Sequence, residues 1–387
     1  MQYRQVGNTG ISVSVLGHGT MRYKSRENAA EMIAHGLRLG LTYFDIGSAY
    51  SFKAFDDNAE TWVGEALRGV PRESVVLSAK AQPRHGETKL DRGLGIDTRD
   101  DMWRCIENSL KRVGVEYFDF YQFWDMSADD HFDAACVGDD SPLVAMREAK
   151  EQGLVRHLGF TSHAQADQII RWLEAVPDFR FITVYYNFMD TAPEAAINFA
   201  YEHNIGVAIM GPLRGGLLVG ESEVFAQALP EFAGLPVQEI ALRFLLSTPA
   251  ISTVLSGMNE IAHMDQNAAV ASLENPMTPE QRQRFIEAFR EFSKGEPLCT
   301  GCRYCAGVCP QGLPVAHMMP LYQLAEVFKV ASANAHIKSM AGHQRLDPAK
   351  CVACGLCVDK CPQKLPIPER MQRLAELSAE LQEAAVE

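Results

Sequence analysis

The feature that most constrains this chain is a cysteine pattern that occurs twice near its end. The runs CTGCRYCAGVCP (299–310) and CVACGLCVDKCP (351–362) each follow C-x2-C-x2-C-x3-C-P. Together they hold eight of the ten cysteines among 387 residues, and Cys105 and Cys136 are the other two. Thiols at such regular intervals, in a chain with no recognisable export signal, favour a metal site over disulfide bonds.

This spacing is typical of bacterial 4Fe–4S sites, in which the fourth cysteine of one run binds the cluster of the other run. It predicts two clusters with crossed ligand sets. The first set is Cys299, Cys302, Cys305 and Cys361, and the second set is Cys351, Cys354, Cys357 and Cys309. Zinc held by the paired C-x2-C steps is the alternative. The third cysteine at the same interval and the duplication of the run favour iron–sulfur clusters.

The cysteine-poor body contains eight short apolar or β-branched runs, and a segment with helical periodicity follows each of them. Eight strand–helix units in about 250 residues have the size of a closed (β/α)8 barrel. A doubly wound open sheet is the alternative, but its glycine-rich GxGxxG turn is absent. Several helices are predicted to end in a left-handed cap, at Gly40, Gly153 and Asn204.

We therefore predict an α/β fold with two domains, a (β/α)8 TIM barrel at 1–285 and a smaller domain at 286–387. The smaller domain would begin with an amphipathic connecting helix in TPEQRQRFIEAFREFSKG. The rest would be a mainly helical, ferredoxin-like iron–sulfur domain, because segment 318–340 between the cysteine runs also has helical periodicity.

Composition excludes some classes of partner. No apolar run reaches the about 18 residues of a membrane-spanning helix, and the first residues contain no apolar signal core. The formal net charge of −13 disfavours nucleic acid. We therefore expect a cytoplasmic protein with a small-molecule substrate and with neither a membrane nor a nucleic-acid partner.

Polar residues that end the apolar runs are candidate site residues, because a barrel carries its active site at the C-terminal ends of its strands. They are Asp45, Lys80, Trp124, Asp125, Thr161, Ser162, His163, Asn187 and Ser256. A buried lysine beside a carboxylate can lower the pKa of a nearby tyrosine hydroxyl, here Tyr50, and let it deliver a proton near neutral pH. Carbonyl reduction needs that proton as hydride arrives at carbon. A plain ion pair of Asp45 and Lys80 is the alternative.

Three segments together resemble the aldo-keto reductase family over about residues 1–285: RQVGNTGISVSVLGHGTM, YFDIGSAY and VVLSAK. The resemblance implies a barrel that binds NADPH, or less often NADH, without a Rossmann turn. It also implies that Asp45, Tyr50 and Lys80 are three members of the catalytic tetrad. The family's fourth member is a histidine at the end of the fourth strand, and this chain has Trp124 there, in DFYQFW.

An indole donates one hydrogen bond but cannot accept a proton, so Trp124 puts ordinary aldehyde reduction in question. We expect an unusual substrate, or weak activity as a carbonyl reductase. The alternative is that Trp124 is a bulky residue that fills the site. His18, His131 and His163 are candidate substitutes for the missing histidine, although each alone is more typical of a structural or solvent-facing position.

The resemblance also implies the nicotinamide contacts. GFTSH resembles the stretch that holds the carboxamide, with Thr161 and Ser162 in this chain, and YYNFM supplies Asn187. In VAIMGPLRGG, Met210 has the position where a tyrosine commonly stacks on the nicotinamide, and a thioether can also pack on a ring face.

LSGMNEIAHMDQN resembles the pyrophosphate and adenosine loop, with Ser256 near its start and Asn267 on the adenine side. His263 replaces an arginine that often binds the 2′-phosphate, so the choice between NADPH and NADH stays open. The tail, in turn, resembles the helical two-cluster ferredoxins of succinate-dehydrogenase-type iron–sulfur subunits.

Nicotinamide transfers two electrons as hydride, whereas each cluster transfers one, and nothing in the sequence marks a flavin site. Three hypotheses follow. The chain is an oxidoreductase that exchanges electrons between the clusters and a substrate or an external ferredoxin; or it is an ordinary NAD(P)H carbonyl reductase with structural clusters; or it is a non-enzymatic redox sensor or electron-transfer scaffold. Substrate specificity would reside in loops such as DMSADDHFDAACVGDDSP (125–142).

Overall fold

The computed structural model describes residues 1–83, 92–222, 224, 230–292, 298–299, 304–361 and 363–384. The chain divides into two compact units. The first comprises Met1–Tyr186, Thr191–Pro212 and Leu245–Pro276, and the second comprises Asn187–Asp190, Leu213–Phe244 and Met277–Glu387. The second unit therefore includes segments that precede residue 285, and the predicted domain boundary stays a prediction.

The first unit begins with a hairpin of two antiparallel strands, β1 (Tyr3–Gln5) and β2 (Ser12–Ser14). Parallel strands follow. They are β3 (Leu16–Gly19), β4 (Tyr43–Asp45), β5 (Val76–Pro83), β6 (Leu94–Ile96), β7 (Phe118–Phe123), β8 (Val155–Ser162), β9 (Phe179–Tyr185), β10 (Gly206–Met210) and β11 (Thr253–Ser256).

Eight of these strands form a closed parallel barrel. The order of neighbours is β4, β3, β11, β10, β9, β8, β7 and β5, and β5 pairs again with β4 to close the ring. The short β6 pairs with β5 beside that ring. The predicted (β/α)8 barrel is confirmed, and the side chains at its carboxyl-terminal strand ends converge around one mouth.

Helices alternate with the barrel strands and continue through the second unit. They are α1 (Arg26–Arg38), α2 (Ala59–Ala66), α3 (Arg99–Val113), α4 (Asp129–Cys136), α5 (Pro142–Glu151), α6 (Ala166–Ala175), α7 (Glu194–Glu202), α8 (Val237–Leu246), α9 (Ile261–Val270), α10 (Pro279–Phe292), α11 (Val315–Tyr322), α12 (Ala331–Lys338), α13 (Leu356–Lys360) and α14 (Ile367–Glu383). The predicted left-handed caps are present, with φ of 85° at Gly40, 78° at Gly153 and 56° at Asn204.

Two segments differ from the sequence-based expectation. The region predicted as the acidic loop 125–142 contains helix α4, so Cys136 ends a helix. Asp129 and Asp130 lie in the first turn of α4, where carboxylates favour a helix N-terminus. Phe132 also stacks on Trp172 of α6, with ring centroids 6.0 Å apart, so the helix has an apolar face to bury.

The segment 318–340 is not one continuous helix. Helix α11 contains Pro320 and passes into a π-helical turn, Gln323–Val327, before the chain breaks. Lys329 has a φ of 49°, a left-handed conformation that ends the helix before α12 begins. Periodicity alone did not reveal this break, because the apolar spacing continues across it.

A hydrophobic cluster closes the amino-terminal end of the barrel. Val6 and Val13 of the hairpin pack against Tyr43, Phe120 and Phe181 from the barrel interior. The rings of Phe120 and Phe181 lie 4.3 Å apart, a close aromatic contact. This end therefore has no space for a substrate. The candidate active site lies at the opposite, carboxyl-terminal end of the strands.

The second unit joins segment 213–222 to the helices that follow. Ser222 Oγ donates to Phe328 O at 2.6 Å, and Ser332 Oγ donates to Leu217 O at 2.7 Å. Arg373 of α14 forms ion pairs with Glu326 and Glu380. In the described part of the chain, no helix is both long and apolar enough to cross a bilayer.

A buried ion pair between α2 and α3 gives a stability prediction. Arg112 Nε donates to Glu60 Oε2 at 2.6 Å, and Ser109 Oγ donates to Glu60 Oε1 at 2.9 Å. Arg112→Met leaves the Glu60 carboxylate buried without its cation, so the free energy of barrel unfolding should fall by about 3–5 kcal/mol. Urea denaturation followed by circular dichroism measures this loss.

The control for this experiment is Arg68→Met, because the side chain of Arg68 is 78% exposed. It should change stability by less than about 0.5 kcal/mol. The double variant Arg112→Met, Glu60→Gln should recover part of the loss because no buried charge remains. Equal stability of the Arg112→Met variant and the wild type would contradict the account.

Candidate functional site

A buried ion pair lies at the carboxyl-terminal end of the barrel. Asp45 is the last residue of β4, and Lys80 lies in the adjacent strand β5. Lys80 Nζ donates to Asp45 Oδ2 at 2.5 Å, and the two side chains are only 3% and 6% exposed. Because β4 and β5 are the strands whose pairing closes the ring, the barrel fold itself positions these two groups.

The local electrostatics favour a charged lysine. Burial works against the ammonium, but the Asp45 carboxylate and Tyr50 outweigh it and raise the pKa of Lys80 above its ordinary 10.5. Burial raises the pKa of Asp45, because it disfavours the carboxylate, and the positive charge of Lys80 opposes that rise. Lys80 is therefore an ammonium at neutral pH and presents a fixed positive charge inside the barrel mouth.

Tyr50 lies beside this charge. Lys80 Nζ is 5.2 Å from the centroid of the Tyr50 ring, and a Cβ on Gly47 would lie only 3.3 Å from that ring. Burial raises the pKa of Tyr50 above 10, while Lys80 lowers it by charge and hydrogen bonding. The expectation of a lowered pKa is thus right for the effect of Lys80 and wrong for the net direction, because burial has the larger effect on the pKa of Tyr50.

Trp124 follows β7 and contacts the same tyrosine. Its ring meets the Tyr50 ring edge to face, with centroids 5.2 Å apart and planes at 76°. Its backbone N–H donates to Ala81 O at 2.8 Å, which ties the residue to β5. The structure therefore brings all four sequence-predicted catalytic residues into one cluster, and their chemical roles stay a prediction.

The three candidate histidines have other neighbours. His18 is fully buried, its Nε2 lies 3.1 Å from Met258 O, and burial lowers the pKa of its imidazole to about 4. His131 Nδ1 lies 2.6 Å from Asp125 O. His163 is exposed and packs against the Tyr185 ring at 5.2 Å. These contacts are those of structural or surface histidines.

The two predicted carboxamide contacts anchor a loop. Thr161 Oγ1 accepts from the Asp125 N–H at 2.8 Å, and Asp125 has a left-handed φ of 62°. Ser162 Oγ accepts from Ala164 N–H at 3.0 Å. Each hydroxyl uses an oxygen lone pair in these bonds and keeps its own proton for donation to a further acceptor.

The other predicted nucleotide contacts are placed as follows. Ser256 ends β11, and its Oγ accepts from Asn267 Nδ2 at 3.1 Å, so these two residues are brought together. Met210 ends β10 and is partly buried. Asn187 belongs to the second unit, where its Oδ1 accepts from Met189 N–H at 3.1 Å. His263 is exposed, 3.9 Å from Glu260 Oε2.

The sequence-based reasoning missed a buried polar chain inside the barrel. Gln122 Nε2 donates to Ser78 Oγ at 2.7 Å, and Thr183 Oγ1 donates to Gln122 Oε1 at 2.8 Å. The chain crosses β5, β7 and β9, and all three residues are nearly or fully buried. An available signal was the glutamine between aromatic residues in FDFYQFW, since a polar residue at an inward position needs partners.

The barrel mouth has an unused acceptor that suits a bound nucleotide. Asp45 Oδ1 is buried and has no hydrogen-bond partner among the described residues. A buried carboxylate oxygen in that state is costly unless another group donates to it. The Asp45 oxygen can accept a hydrogen bond, and the hydroxyl protons of Thr161 and Ser162 can be donated, so these groups have the donor and acceptor chemistry that a nicotinamide riboside requires.

A cavity in the second unit is lined by four cysteines. Cys351, Cys354 and Cys357 of the second run face it together with Cys309 of the first run. Its remaining walls are mainly apolar, from residues that include Leu313, Val315, Ile367 and Met371. These four cysteines are the set that the sequence predicts for the second cluster, and the crossing between runs is present in the fold.

The loop around Cys354 has an unusual backbone. Ala353 and Gly355 both have left-handed φ, 52° and 80°, on either side of that cysteine. Backbone N–H groups in such turns form concave sites for anions, and iron–sulfur clusters are among the groups held this way. The donor set and the backbone therefore fit a 4Fe–4S cluster.

The predicted ligands of the first cluster are described only in part. Cys305 and Cys361 are buried, and the Cys299 N–H donates to Gln323 Oε1 at 2.9 Å. Cys302 lies outside the described residues. Away from the two runs, Cys105 is buried in α3, where burial raises its pKa to about 12, and it is not a reactive thiol.

Two family models match separate parts of the chain. The aldo/keto reductase family matches residues 15–288, and the 4Fe–4S dicluster domain matches residues 298–365. The first match covers all eight barrel strands and the candidate residues at their ends. The second match contains all eight predicted cluster ligands, from Cys299 to Cys361.

Several known proteins are similar to the barrel part of the chain. Uncharacterized oxidoreductase YqkF of Bacillus subtilis is 25% identical over 296 residues, which are 70% of this chain and 92% of that protein. L-galactose dehydrogenase of Arabidopsis thaliana is 24% identical and is matched over 75% of this chain and 95% of its own length. The solved holo form of aldo-keto reductase AKR11C1 from Bacillus halodurans is 25% identical, with a TM-score of 0.62 and coverage of 74% and 96%.

The crossed cysteine sets give a testable prediction. Cys309→Ser and Cys354→Ser should damage the same cluster, because both residues line one cavity, whereas Cys361→Ser should damage the other. Each single variant should lose about four of about eight irons per chain. The double variant Cys309→Ser, Cys354→Ser should lose no more iron than either single variant.

Iron analysis and low-temperature electron paramagnetic resonance of anaerobically reconstituted protein measure these losses. Cys136→Ser is the control and should keep all the iron, since Cys136 lies in the barrel unit. Loss of all clusters in the Cys309, Cys354 double variant, with partial loss in each single variant, would contradict the crossed sets.

Proposed function

We propose that this chain, which belongs to the aldo/keto reductase family and carries a 4Fe–4S dicluster domain, is an NAD(P)H-dependent oxidoreductase whose barrel reaction is coupled to electron transfer through two clusters. One observation carries the proposal. The buried Lys80–Asp45 pair, Tyr50 and Trp124 meet at the carboxyl-terminal end of the barrel. A lysine cation, a phenol and an indole N–H suit the reduction of a carbonyl group.

Tyr50 is the proposed proton donor. Its raised pKa keeps the hydroxyl protonated at neutral pH, and bound NAD(P)H would supply the hydride. As the proton leaves Tyr50 Oη for the substrate oxygen, the nearby Lys80 ammonium stabilises the phenolate that remains. Asp45 holds Lys80 in place through the 2.5 Å hydrogen bond and keeps it charged.

Trp124 is the proposed orienting donor. Its indole N–H can donate one hydrogen bond to the substrate oxygen but cannot exchange a proton with it. Proton transfer therefore depends on Tyr50 alone, and the edge-to-face contact fixes the two rings relative to each other. The nucleotide would be held by Thr161, Ser162, Asn187, Met210, Ser256 and Asn267, and it is NADPH or NADH.

The relatives and the site support one class of substrate. Similar proteins carry the names NADH-specific methylglyoxal reductase of Escherichia coli, 26% identical over 236 residues, and L-galactose dehydrogenase. Methylglyoxal and L-galactose are both small and polar, and each contains a carbonyl group or a group oxidised to one. We infer a small polar carbonyl compound, or the corresponding alcohol, as the substrate of this chain.

The clusters are assigned to the crossed cysteine sets. Cys299, Cys302, Cys305 and Cys361 would hold one, and Cys351, Cys354, Cys357 and Cys309 would hold the other. The cavity lined by the second set and the matched dicluster domain support this assignment. Bound clusters would supply one-electron transfer, which the barrel residues alone cannot perform.

The role of Tyr50 is tested with Tyr50→Phe. The variant should lose about 10²–10⁴-fold in kcat with small carbonyl compounds such as methylglyoxal, because only the proton donor is removed. Its affinity for NADPH and NADH, measured by nicotinamide fluorescence, should stay within about twofold of wild type. Full turnover by Tyr50→Phe would refute the assigned acid role.

The role of Trp124 is tested with two replacements. Trp124→Phe keeps an aromatic ring against Tyr50 but removes the N–H, so kcat should fall about 10²–10³-fold. Trp124→His restores a donor and should recover much of that loss with simple aldehydes. If Trp124→Phe is as active as wild type, Trp124 only fills space.

The pH dependence follows from the pKa of Tyr50. A proton donor works below its pKa, and burial raises the pKa of Tyr50 above 10. The alkaline loss of kcat/KM due to Tyr50 should therefore appear only above about pH 10. A loss of kcat/KM near pH 7–8 that disappears only in the Tyr50→Phe variant would contradict this assignment.

A further inference from the structure

One side of the cysteine-lined cavity is open to solvent. Cys354 is exposed, whereas Cys357 is buried, and Cys309 and Cys351 are intermediate. Val352 and Leu356, on either side of Cys354 in the chain, are 57% and 48% exposed. An exposed ligand between two exposed apolar side chains means that this cluster site approaches the protein surface at Cys354.

Exposed apolar side chains are concentrated at the cysteine runs. Seven large hydrophobic side chains stand out as exposed in the described residues, and three of them, Tyr304, Val352 and Leu356, lie within the two short runs. Single exposed apolar side chains are common on protein surfaces, but several of them close together, as in the two cysteine runs, indicate an interaction site. The apolar side chains next to Cys354 therefore favour a protein surface as the partner.

The segment that carries the second cysteine run is basic in an acidic protein. Segment 309–315 has no charged residue, and segment 343–371 has five basic and three acidic residues. They are Arg345, Lys350, Lys360, Lys364, Arg370, Asp347, Asp359 and Glu369; Arg370 is buried, so four of the basic side chains contribute to the surface charge. Both carboxylate oxygens of Asp347 already accept backbone N–H groups, from Gly342 and Ala349. The local excess of positive charge contrasts with the net charge of −13 for the whole chain.

We propose that the exposed residues Val352, Cys354 and Leu356, with the exposed cations Arg345 and Lys360 of the same segment, are the docking site for a small acidic protein that carries one electron at a time. This inference rests on the proposed function, because it names the redox partner of the second cluster set. Apolar contacts would exclude water at the centre of the interface, and the cationic rim would attract the partner's carboxylates.

Docking at Cys354 gives the electron a short route to the four-cysteine site. One electron passes between the carrier and this domain, so that one is oxidised and the other reduced, and no bond is made or broken. An acidic carrier also suits a transient encounter, since long-range attraction speeds association and salt weakens it. A neutral or basic carrier would gain nothing from Arg345 and Lys360.

The test is binding of the anaerobic, cluster-loaded full chain to a purified acidic two-cluster bacterial ferredoxin. Isothermal titration calorimetry measures the Kd at about 20 mM salt, where charges are weakly screened, and at about 500 mM salt, where they are strongly screened. The affinity should fall at least about tenfold at high salt. Arg345→Glu with Lys360→Glu, and separately Leu356→Ser, should each weaken binding about tenfold or more at low salt.

Matched controls are Lys338→Glu and Val137→Ser, which alter an exposed lysine in α12 and an exposed valine in the barrel unit. Both should bind as wild type does. Iron content and reduction by dithionite check that every variant keeps its clusters. If the wild type holds no reducible clusters, the proposed function fails first. With clusters intact, equal binding by the docking-site variants and the controls, or no binding of the ferredoxin, overturns this inference.

Discussion

The hydrogen-bonded ion pair of Lys80 and Asp45 is the interaction on which the candidate active site depends. It joins the two strands whose pairing closes the barrel, and it is almost completely removed from water. A buried ion pair contributes little net stability, because desolvation offsets most of the attraction. Its value here is positional, since it fixes one positive charge beside Tyr50. Removing either partner would leave a buried charge and disturb Tyr50, the proposed proton donor, as well.

The packing of the barrel leaves its carboxyl-terminal end as the location of the candidate active site. The hairpin and the interior aromatic residues fill the amino-terminal end, so the polar strand ends at the opposite side form the only mouth seen in the described part of the barrel. Trp124 packs on Tyr50 and cannot itself accept a proton, so the proposed reaction has Tyr50 as its single proton donor. In the second unit, the crossing of Cys309 to the second cysteine run ties two distant segments into one site.

Much of this arrangement follows from sequence, for physical reasons. Parallel strands bring their carboxyl ends together, so Asp45, Lys80 and Trp124 could be grouped before any coordinates, and the cysteine spacing is dictated by cluster geometry. The net rise in the pKa of Tyr50 could not be predicted, because it depends on how completely the fold buries the ring. Gln122 could be recognised as an inward polar residue that needs partners, but its partners Ser78 and Thr183 could not be named, since they lie on strands far apart in sequence. Helix α4 and the break at Lys329 depend on tertiary contacts and backbone strain that periodicity does not report.

The coupling of the barrel to the clusters is tested most directly by an anaerobic titration of cluster-loaded protein. NADPH, and then NADH, is added while cluster absorbance and nicotinamide fluorescence are followed together. The account predicts that at least one nucleotide binds and bleaches the clusters, with one two-electron donor consumed for about two one-electron acceptors. Binding seen by fluorescence while the clusters keep their full absorbance, with and without a carbonyl substrate, would contradict the coupling.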